Sequence, residues 1–281
     1  MIGERQELGN LVGSMNMNKR FKRDELIKLI EELNLEKEDF TLLSSSALVF
    51  RGIMEDVGDL DIAVTKKGFD KLRIPMVLNY IRNKMQYENI SKQNEILINI
   101  LKRNTNLMKV LDFIETLNLP NYYIAAGSVF QTVWNYFDNF DLNNNIKDID
   151  VIYYDKSNLD VNKDIEICNK IIDFCKDNNL NYEIDVSNEA RMHLWKKEHE
   201  NKDVEQYKNS EDAINHWIAN MHAIGITKIN NEIYVYAPFG LSDIYSRTIR
   251  PIKHKYNSKE LYDKKVNSWS SRFDNLNIVE W

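Results

Sequence analysis

The chain lacks the patterns that mark several common classes of protein. Its only cysteines, Cys168 and Cys175, lie seven residues apart in an apolar pattern with helical spacing that also includes Ile165, Ile171 and Ile172, so we expect free thiols on one helix face. Its five histidines match no zinc-site spacing, and no structural zinc is expected. No apolar run reaches the roughly 18 residues of a membrane span, and the first residues lack the order of a signal peptide. We therefore expect a cytoplasmic protein without a membrane partner.

An excess of positive charge is also missing. The 281 residues include 43 acidic and 37 basic side chains, for a net charge of -6. Proteins that hold long nucleic acids or anionic membranes by charge usually carry a positive field. The composition therefore disfavours a long polynucleotide as substrate.

Hydrophobic residues make up 43% of the chain, enough for a sizeable core in one large or two modest domains. Residues 24–36 have helical spacing, short strands are predicted at 41–43 and 60–64, and the stretch 76–118 is helical almost throughout. The candidate buried positions in this stretch are Ile81, Met85, Ile90, Leu97, Ile100, Leu101, Leu107, Val110, Leu111 and Ile114. After Pro120 strands and helices alternate, which predicts an α/β or α+β domain. The predicted strands there are 122–126, 149–154, 182–186 and 232–236, and the predicted helices are 128–136, 163–176, 189–199 and 211–221.

A glycine–serine pair, Gly127 and Ser128, stands where a predicted strand turns into a helix. Glycine lets the backbone approach a phosphate, and the N–H groups at the start of a helix favour negative charge. Both residues are therefore candidates for nucleotide binding. The alternative is structural, with Ser128 capping the helix.

Two carboxylates, Asp148 and Asp150, alternate with apolar residues on the following predicted strand. Alternation puts both on one face, where their mutual repulsion must be offset by positive charge. Mg²⁺ prefers such oxygen ligands, and a pair of ions can bracket the attacking and leaving oxygens of a phosphoryl-group displacement. The alternative is a strand end whose acids face water.

A third carboxylate, Asp185, lies on the strand after one helical crossover, so this strand can lie beside the first. Asp148, Asp150 and Asp185 are the predicted catalytic and metal-binding residues, with Glu183 as the fallback. Just downstream, Arg191 is a candidate nucleotide-binding residue because a guanidinium group suits phosphate. Alternatively, Arg191 packs against Trp195 one helical turn later.

In this order, the Gly-Ser turn and the three aspartates resemble the catalytic pattern of the polymerase-beta nucleotidyltransferase superfamily. Residues from about 95 to 281 resemble more closely a bacterial family of nucleotidyltransferase-like proteins. The sequence departs from the pattern at Ala126, where the superfamily usually has a second glycine, and this predicts a stiffer phosphate loop. The stretches that carry the closer resemblance are 125–134, 147–155, 188–195, 210–214 and 236–243.

The resemblance implies a mixed sheet flanked by helices, two Mg²⁺ ions (or Mn²⁺), and transfer of a nucleoside monophosphate from a triphosphate such as ATP to an acceptor hydroxyl. In this scheme Gly127 and Ser128 hold the triphosphate, Asp148 and Asp150 bind both metals, and Asp185 helps to bind the metal that activates the acceptor. The resemblance supplies no acceptor and no oligomeric state. The net acidity favours a small molecule or a protein side chain over long RNA.

An earlier segment repeats the same order of strand, small-residue turn, helix and paired acids, with Ser45 and Ser46 before Asp59 and Asp61. It resembles the first half of a minimal nucleotidyltransferase. Ser45 replaces the glycine, and no third strand carboxylate follows. We therefore expect an inactive truncated unit at 1–75, a helical connector with the first helices of the catalytic unit at 76–118, and a catalytic domain at 119–281.

Two other functions fit parts of the pattern. A nucleotide-binding or interaction protein would keep the fold without catalysis. A glycosyltransferase also uses Asp-x-Asp to hold the metal of a nucleotide sugar, but that class needs a nucleotide-binding half before the motif. Here a Gly-Ser turn stands immediately upstream instead.

Overall fold

The computed structural model describes residues 82–281 continuously and, before them, residues 21–24, 27, 31, 40–42, 51, 56–57, 62–64 and 78. The chain divides into two compact units, Met1–Tyr80 and Ile81–Trp281. Within the described residues, no helix combines the length and the apolar character needed to cross a bilayer.

The described part of the first unit contains two antiparallel strand pairs. Strand β2 pairs with β4, and Leu42 lies opposite Ile62; β1 pairs with β3. The residues on which the predicted truncated copy depends, Ser45, Ser46, Asp59 and Asp61, lie outside the described residues, so that copy stays a prediction. The four strands are β1 (Phe21–Lys22), β2 (Phe40–Leu42), β3 (Asp56–Val57) and β4 (Ile62–Val64).

The second unit begins with two helices, α1 (Ile90–Leu101) and α2 (Thr105–Thr116). The side chains of Asn89 and Asn104 cap them by accepting hydrogen bonds from backbone N–H groups of the first turns. The predicted helical periodicity is confirmed between Leu97 and Ile114, although Ile90, also predicted to be buried, is 51% exposed at the start of α1. The residues of these two helices that were predicted to be buried, and are buried, are Leu97, Ile100, Leu101, Leu107, Val110, Leu111 and Ile114.

A five-stranded sheet forms the centre of this unit, with the strand order β7-β6-β5-β8-β9. Only β6 and β7 run parallel, so the sheet is mixed, as expected. Strand β8 was not predicted; it joins β9 through Asn230 and Asn231, whose positive φ angles of 52° and 68° suit a tight hairpin turn. The strands are β5 (Tyr123–Ala125), β6 (Asp148–Tyr153), β7 (Glu183–Asn188), β8 (Gly225–Ile229) and β9 (Glu232–Tyr236).

Helices flank the sheet. Helix α3 (Gly127–Phe137) follows β5, and α4 (Val161–Asp177) is the crossover from β6 to β7. Both cysteines of α4 are free, as expected, and Cys175 is buried. The prediction that Ile165 belongs to the apolar face is wrong: it is 52% exposed, because α4 turns Asp164 and Ile167 inwards instead.

The remaining helices are short except the last. A 3₁₀ turn at Glu189–Arg191 leads into α5 (Met192–Glu200), and α6 (Ser210–Ile214) ends earlier than the predicted 211–221. After α7 (Ser242–Tyr245), strands β10 (Thr248–Ile249) and β11 (Asn277–Ile278) pair in parallel. Helix α8 (Lys259–Ser270), which was not predicted, buries Tyr262, Val266 and Trp269 on one face.

Candidate functional site

The parallel register of β6 and β7 brings the predicted aspartates together. Asp150 lies directly opposite Asp185, and Asp148 lies opposite Glu183. Residues opposite one another in a sheet project from the same face, and so do residues two apart on one strand. The three predicted aspartates and the fallback Glu183 therefore form one acidic patch at the ends of two neighbouring strands.

The charges in this patch act on one another. Burial, then the charges of Asp148 and Asp185, raise the pKa of Asp150 to about 7, while the positive charge of Lys265 opposes this rise. The negative charges of Asp148 and Asp185 thus disfavour ionisation of Asp150, because the nearby positive charge does not offset them.

The donor set of the acidic patch suits a hard divalent cation, because it consists of carboxylate oxygens whose repulsion a cation would offset. As positioned, no three Asp, Glu, His or Cys side chains in the described part of the chain are close enough together to hold a metal ion. The argument that the acidic patch suits a divalent cation therefore depends on two observations: the ligand atoms are carboxylate oxygens, and these carboxylates share one face of the sheet.

The turn between β5 and α3 has an unusual backbone. Ala126 adopts φ 54° and ψ -118°, a backbone conformation that residues other than glycine rarely adopt. Hydrogen bonds hold it on both sides: its N–H donates to the Ile224 carbonyl at 2.9 Å, and its own carbonyl accepts from Val129 and Phe130 at 3.2 Å. Ala126, which replaces the usual first glycine of the pattern, therefore adopts a backbone conformation that glycine would adopt without strain.

Gly127 is the first residue of α3, and a side chain there would collide with Gln131. A Cβ atom at Gly127 would lie 2.7 Å from Nε2 of the Gln131 side chain. The Oε1 atom of the same side chain accepts a 3.0 Å hydrogen bond from Arg272. Ser128 is fully buried and its side chain does not cap the helix, so the capping alternative is wrong. The N–H groups of Gly127 and Ser128 begin the helix and have no partner inside it.

A cavity of about 420 Å³, here the large cavity, opens beside the Gly127 turn. Three cationic residues line it together with three acids, Asp148, Asp150 and Glu183. Within residues 82–281 none of these cations forms an ion pair within 4.0 Å, so their charges are available to an anion. The cationic residues are Lys147, Lys265 and Arg272, and the remaining lining residues are Gly127, Gln131, His222, Ser268, Trp269 and Ser271.

A second cavity of about 180 Å³, here the small cavity, also borders Asp150. Asp150, His222 and Lys265 line both cavities, so the two spaces meet at these side chains. Burial lowers the pKa of His222 to about 3, which keeps its imidazole neutral at physiological pH. The other residues that line the small cavity are Ala126, Val151, Ile152, Asp185, Ser187, Glu189 and Trp217.

Arg191 does not line either cavity. Its Nη1 atom lies 3.3 Å from Oδ2 of Asp164, whose Oδ1 accepts a 2.6 Å hydrogen bond from the Tyr153 hydroxyl. Tyr153 alternates with Asp150 along β6 and so projects from the opposite face of the sheet. The structure thus brings Gly127 and the three aspartates together and places Arg191 elsewhere.

Sequence reasoning missed several residues that line the cavities, above all Lys265 and Trp269 on α8. The available signal was a serine cap at Ser258 followed by apolar residues at helical spacing. Glu189 and His222 had no signal of this kind, because one belongs to a 3₁₀ turn and the other to an irregular segment before β8.

Comparisons with known proteins agree with this geometry. A solved structure described as a CCA-adding enzyme head domain has a TM-score of 0.56 and 23% sequence identity, with 66% of this chain and 95% of that chain covered. This likeness shows the fold. A search of the curated proteins finds no match. A family model described as nucleotidyltransferase matches residues 112–278, more than half of the chain and the whole of the acidic patch. The chain belongs to this nucleotidyltransferase family.

Proposed function

We propose that the chain transfers a nucleoside monophosphate from a triphosphate to an acceptor hydroxyl in a reaction that depends on Mg²⁺. The observation that carries this proposal is the β6–β7 register, which places Asp148, Asp150 and Asp185 on one face where two cavities meet. The acceptor is a small molecule or a protein side chain, since the chain has no overall positive charge to hold a long nucleic acid.

The large cavity is the site for the triphosphate. Its cations, Lys147, Lys265 and Arg272, supply charge for the phosphate oxygens, and Gly127, the first residue of α3, borders the same space with the start of the helix. Gln131 holds Arg272 in place by a hydrogen bond. These groups would bind the β- and γ-phosphates and stabilise the departing pyrophosphate.

Asp148 and Asp150 would hold both metal ions, and Asp185 would hold the one nearer the acceptor. When bound, the ions would neutralise phosphate charge and polarise the attacking and leaving oxygens. Asp185 lines only the small cavity and Asp148 only the large one, while Asp150 lines both. This division supports a role for Asp185 on the acceptor side.

In the proposed reaction the acceptor oxygen forms a bond to the α-phosphorus and loses its proton to solvent. The bond from the α-phosphorus to the bridging oxygen breaks, and pyrophosphate leaves with that electron pair. The small cavity would admit the acceptor, and the large cavity would release pyrophosphate, because Asp185 lines the first space, Asp148 the second and Asp150 both.

Substitution of Asp150 tests this function. Asp150→Asn removes the carboxylate shared by both cavities, so we expect pyrophosphate release to fall by at least about 1,000-fold, equivalent to about 4 kcal/mol of transition-state stabilisation. Binding of ATP, or of whichever triphosphate binds best, should also lose its dependence on Mg²⁺. Pyrophosphate release and calorimetric titration measure the two effects.

The matched control is Asp173→Asn, since Asp173 is a 72% exposed side chain on α4 that pairs only with Lys176. This variant should keep both properties. Unchanged metal-dependent binding in Asp150→Asn, with no turnover in either protein, would instead indicate a nucleotide-binding protein without catalysis.

A further inference from the structure

Glu189 is a buried acid that the nucleotide site does not use. It is only 5% exposed, and it lines the small cavity, not the large one. Within residues 82–281 its carboxyl group has no hydrogen bond and no ion pair. Buried carboxylates are normally paired, so an unpaired one that borders a cavity is a candidate ligand-binding group.

The surroundings of Glu189 favour a cation. Asp150 and Asp185 line the same cavity, so three carboxyl groups face this space against one cation, Lys265. Trp217 adds an aromatic surface, and indole rings attract ammonium groups. Burial raises the pKa of Glu189 to about 8, although the positive charge of Lys196, which lines neither cavity, opposes the rise. An ammonium group inside the cavity would favour the ionised form further.

The size and the neighbouring groups define the rest of the ligand. The cavity of about 180 Å³ is less than half as large as the large cavity of about 420 Å³, so it suits a small group. Asp185 and Asp150 also line it, and the proposed function places the reacting hydroxyl beside them.

We propose that the small cavity binds an acceptor in which the reacting hydroxyl is accompanied by a protonated amine, and that Glu189 is the counter-ion of this amine. This inference rests on the proposed function for the identity of the reacting group. The amine site itself depends on Glu189 and Trp217, which have no part in the proposed nucleotide and metal sites.

Two compounds that differ only in the charged group test the proposal. In 2-amino-1,3-propanediol an ammonium group replaces the central hydroxyl of glycerol. We expect the wild-type chain to bind the amine at least about 10-fold more tightly than glycerol, as one charge-assisted contact would provide. Calorimetric or NMR titration should be done without nucleotide and again with Mg²⁺ and a non-hydrolysable ATP analogue.

Two variants make the test specific. Glu189→Gln should reduce the preference for the amine to less than about 3-fold, while leaving binding of the ATP analogue within about 2-fold. Glu198→Gln, at an exposed position on α5, should retain the wild-type preference. Equal binding of both compounds to the wild-type chain, tighter binding of glycerol, or a preference that survives Glu189→Gln would overturn the proposal.

The outcomes separate this inference from the proposed function. Failure of the nucleotide site would appear as no binding of the ATP analogue to the wild-type chain, with the amine preference still measurable without nucleotide. Failure of the amine site would appear as intact nucleotide binding without that preference.

Discussion

At the scale of single residues, the turn whose N–H groups are proposed to bind phosphate depends on Ala126. Its φ of 54° with ψ of -118° is a glycine-like conformation, and the hydrogen bonds on both sides of it leave little freedom to relax. Such strain costs about 1–3 kcal/mol and persists only where the surrounding structure enforces it. The sequence showed the missing glycine, but only the backbone angles show that alanine occupies a strained position.

Replacement of this alanine by glycine should stabilise the protein. Ala126→Gly relieves the strain and loses about 0.5–1 kcal/mol through the greater freedom of glycine in the unfolded chain, so we expect a net gain of about 1 kcal/mol in the free energy of unfolding. Urea denaturation measures this gain. The control is Ala125→Gly, one residue earlier in β5 and without a positive φ, which should be destabilising. Equal effects of the two substitutions would show that Ala126 is not strained.

At the scale of secondary-structure elements, α8 completes the wall of both cavities. Trp269 packs edge-on against Phe130 of α3 with ring centroids 6.0 Å apart, and the Tyr262 hydroxyl donates to the carbonyls of Ile249 and Val279. These contacts orient α8 so that Lys265 lines the large and small cavities. Lys264, the preceding residue, is exposed and lines neither.

This orientation predicts different effects for two adjacent lysines. Lys265→Ala should weaken binding of the Mg²⁺–triphosphate complex by about 10- to 100-fold, because a charged contact to phosphate is removed. Lys264→Ala should leave binding within about 2-fold, although the change in net charge is the same. Fluorescence or calorimetric titration at fixed salt distinguishes the two, and equal losses would mean that only overall charge matters.

At the scale of the whole molecule, two buried titratable groups make stability depend on pH in opposite directions. The pKa of Glu189 rises from an ordinary value of 4.5 to about 8, so the folded state holds its proton more tightly and stability falls as pH rises through that range. The pKa of His222 falls from 6.5 to about 3, so the unfolded state takes up the proton first and stability falls as pH drops below 6.5. Above pH 6.5 His222 is neutral in both the folded and the unfolded state, so it no longer changes the stability. Of these two groups, only Glu189 then lowers the stability further as the pH rises.

We therefore expect the free energy of unfolding, measured with a chelator present, to decline by about 1–2 kcal/mol between pH 6.5 and pH 8. Glu189→Gln should remove a large part of this decline, since glutamine does not ionise. Denaturant titrations at several pH values provide the measurement. A decline of the same size in the variant would assign the effect to other groups, among them Asp150, whose pKa is also raised.

The amino-acid sequence by itself determined the chemistry of the acidic patch and the strands that carry it. Alternation along 148–153 and 183–188 decides which face each carboxylate takes, and one helical crossover is long enough to bring the two strands side by side in parallel. The sequence also showed a glycine in the turn after β5, although the glycine-like backbone conformation of that turn belongs to Ala126 and not to Gly127. The face that each carboxylate takes depends on residues close to it in the sequence, so the spacing of polar and apolar residues along the chain predicts it.

Only the tertiary structure decided which distant groups complete the site. Lys265 comes from a largely polar helix near the end of the chain, Glu189 from a 3₁₀ turn, and Arg191 turns away to pair with Asp164. Whether a polar residue faces a cavity or solvent depends on how whole elements pack, and a single charged residue has no periodic signal of its own. The packing of Trp269 and Tyr262 against the rest of the unit therefore determines which cations the aspartates face.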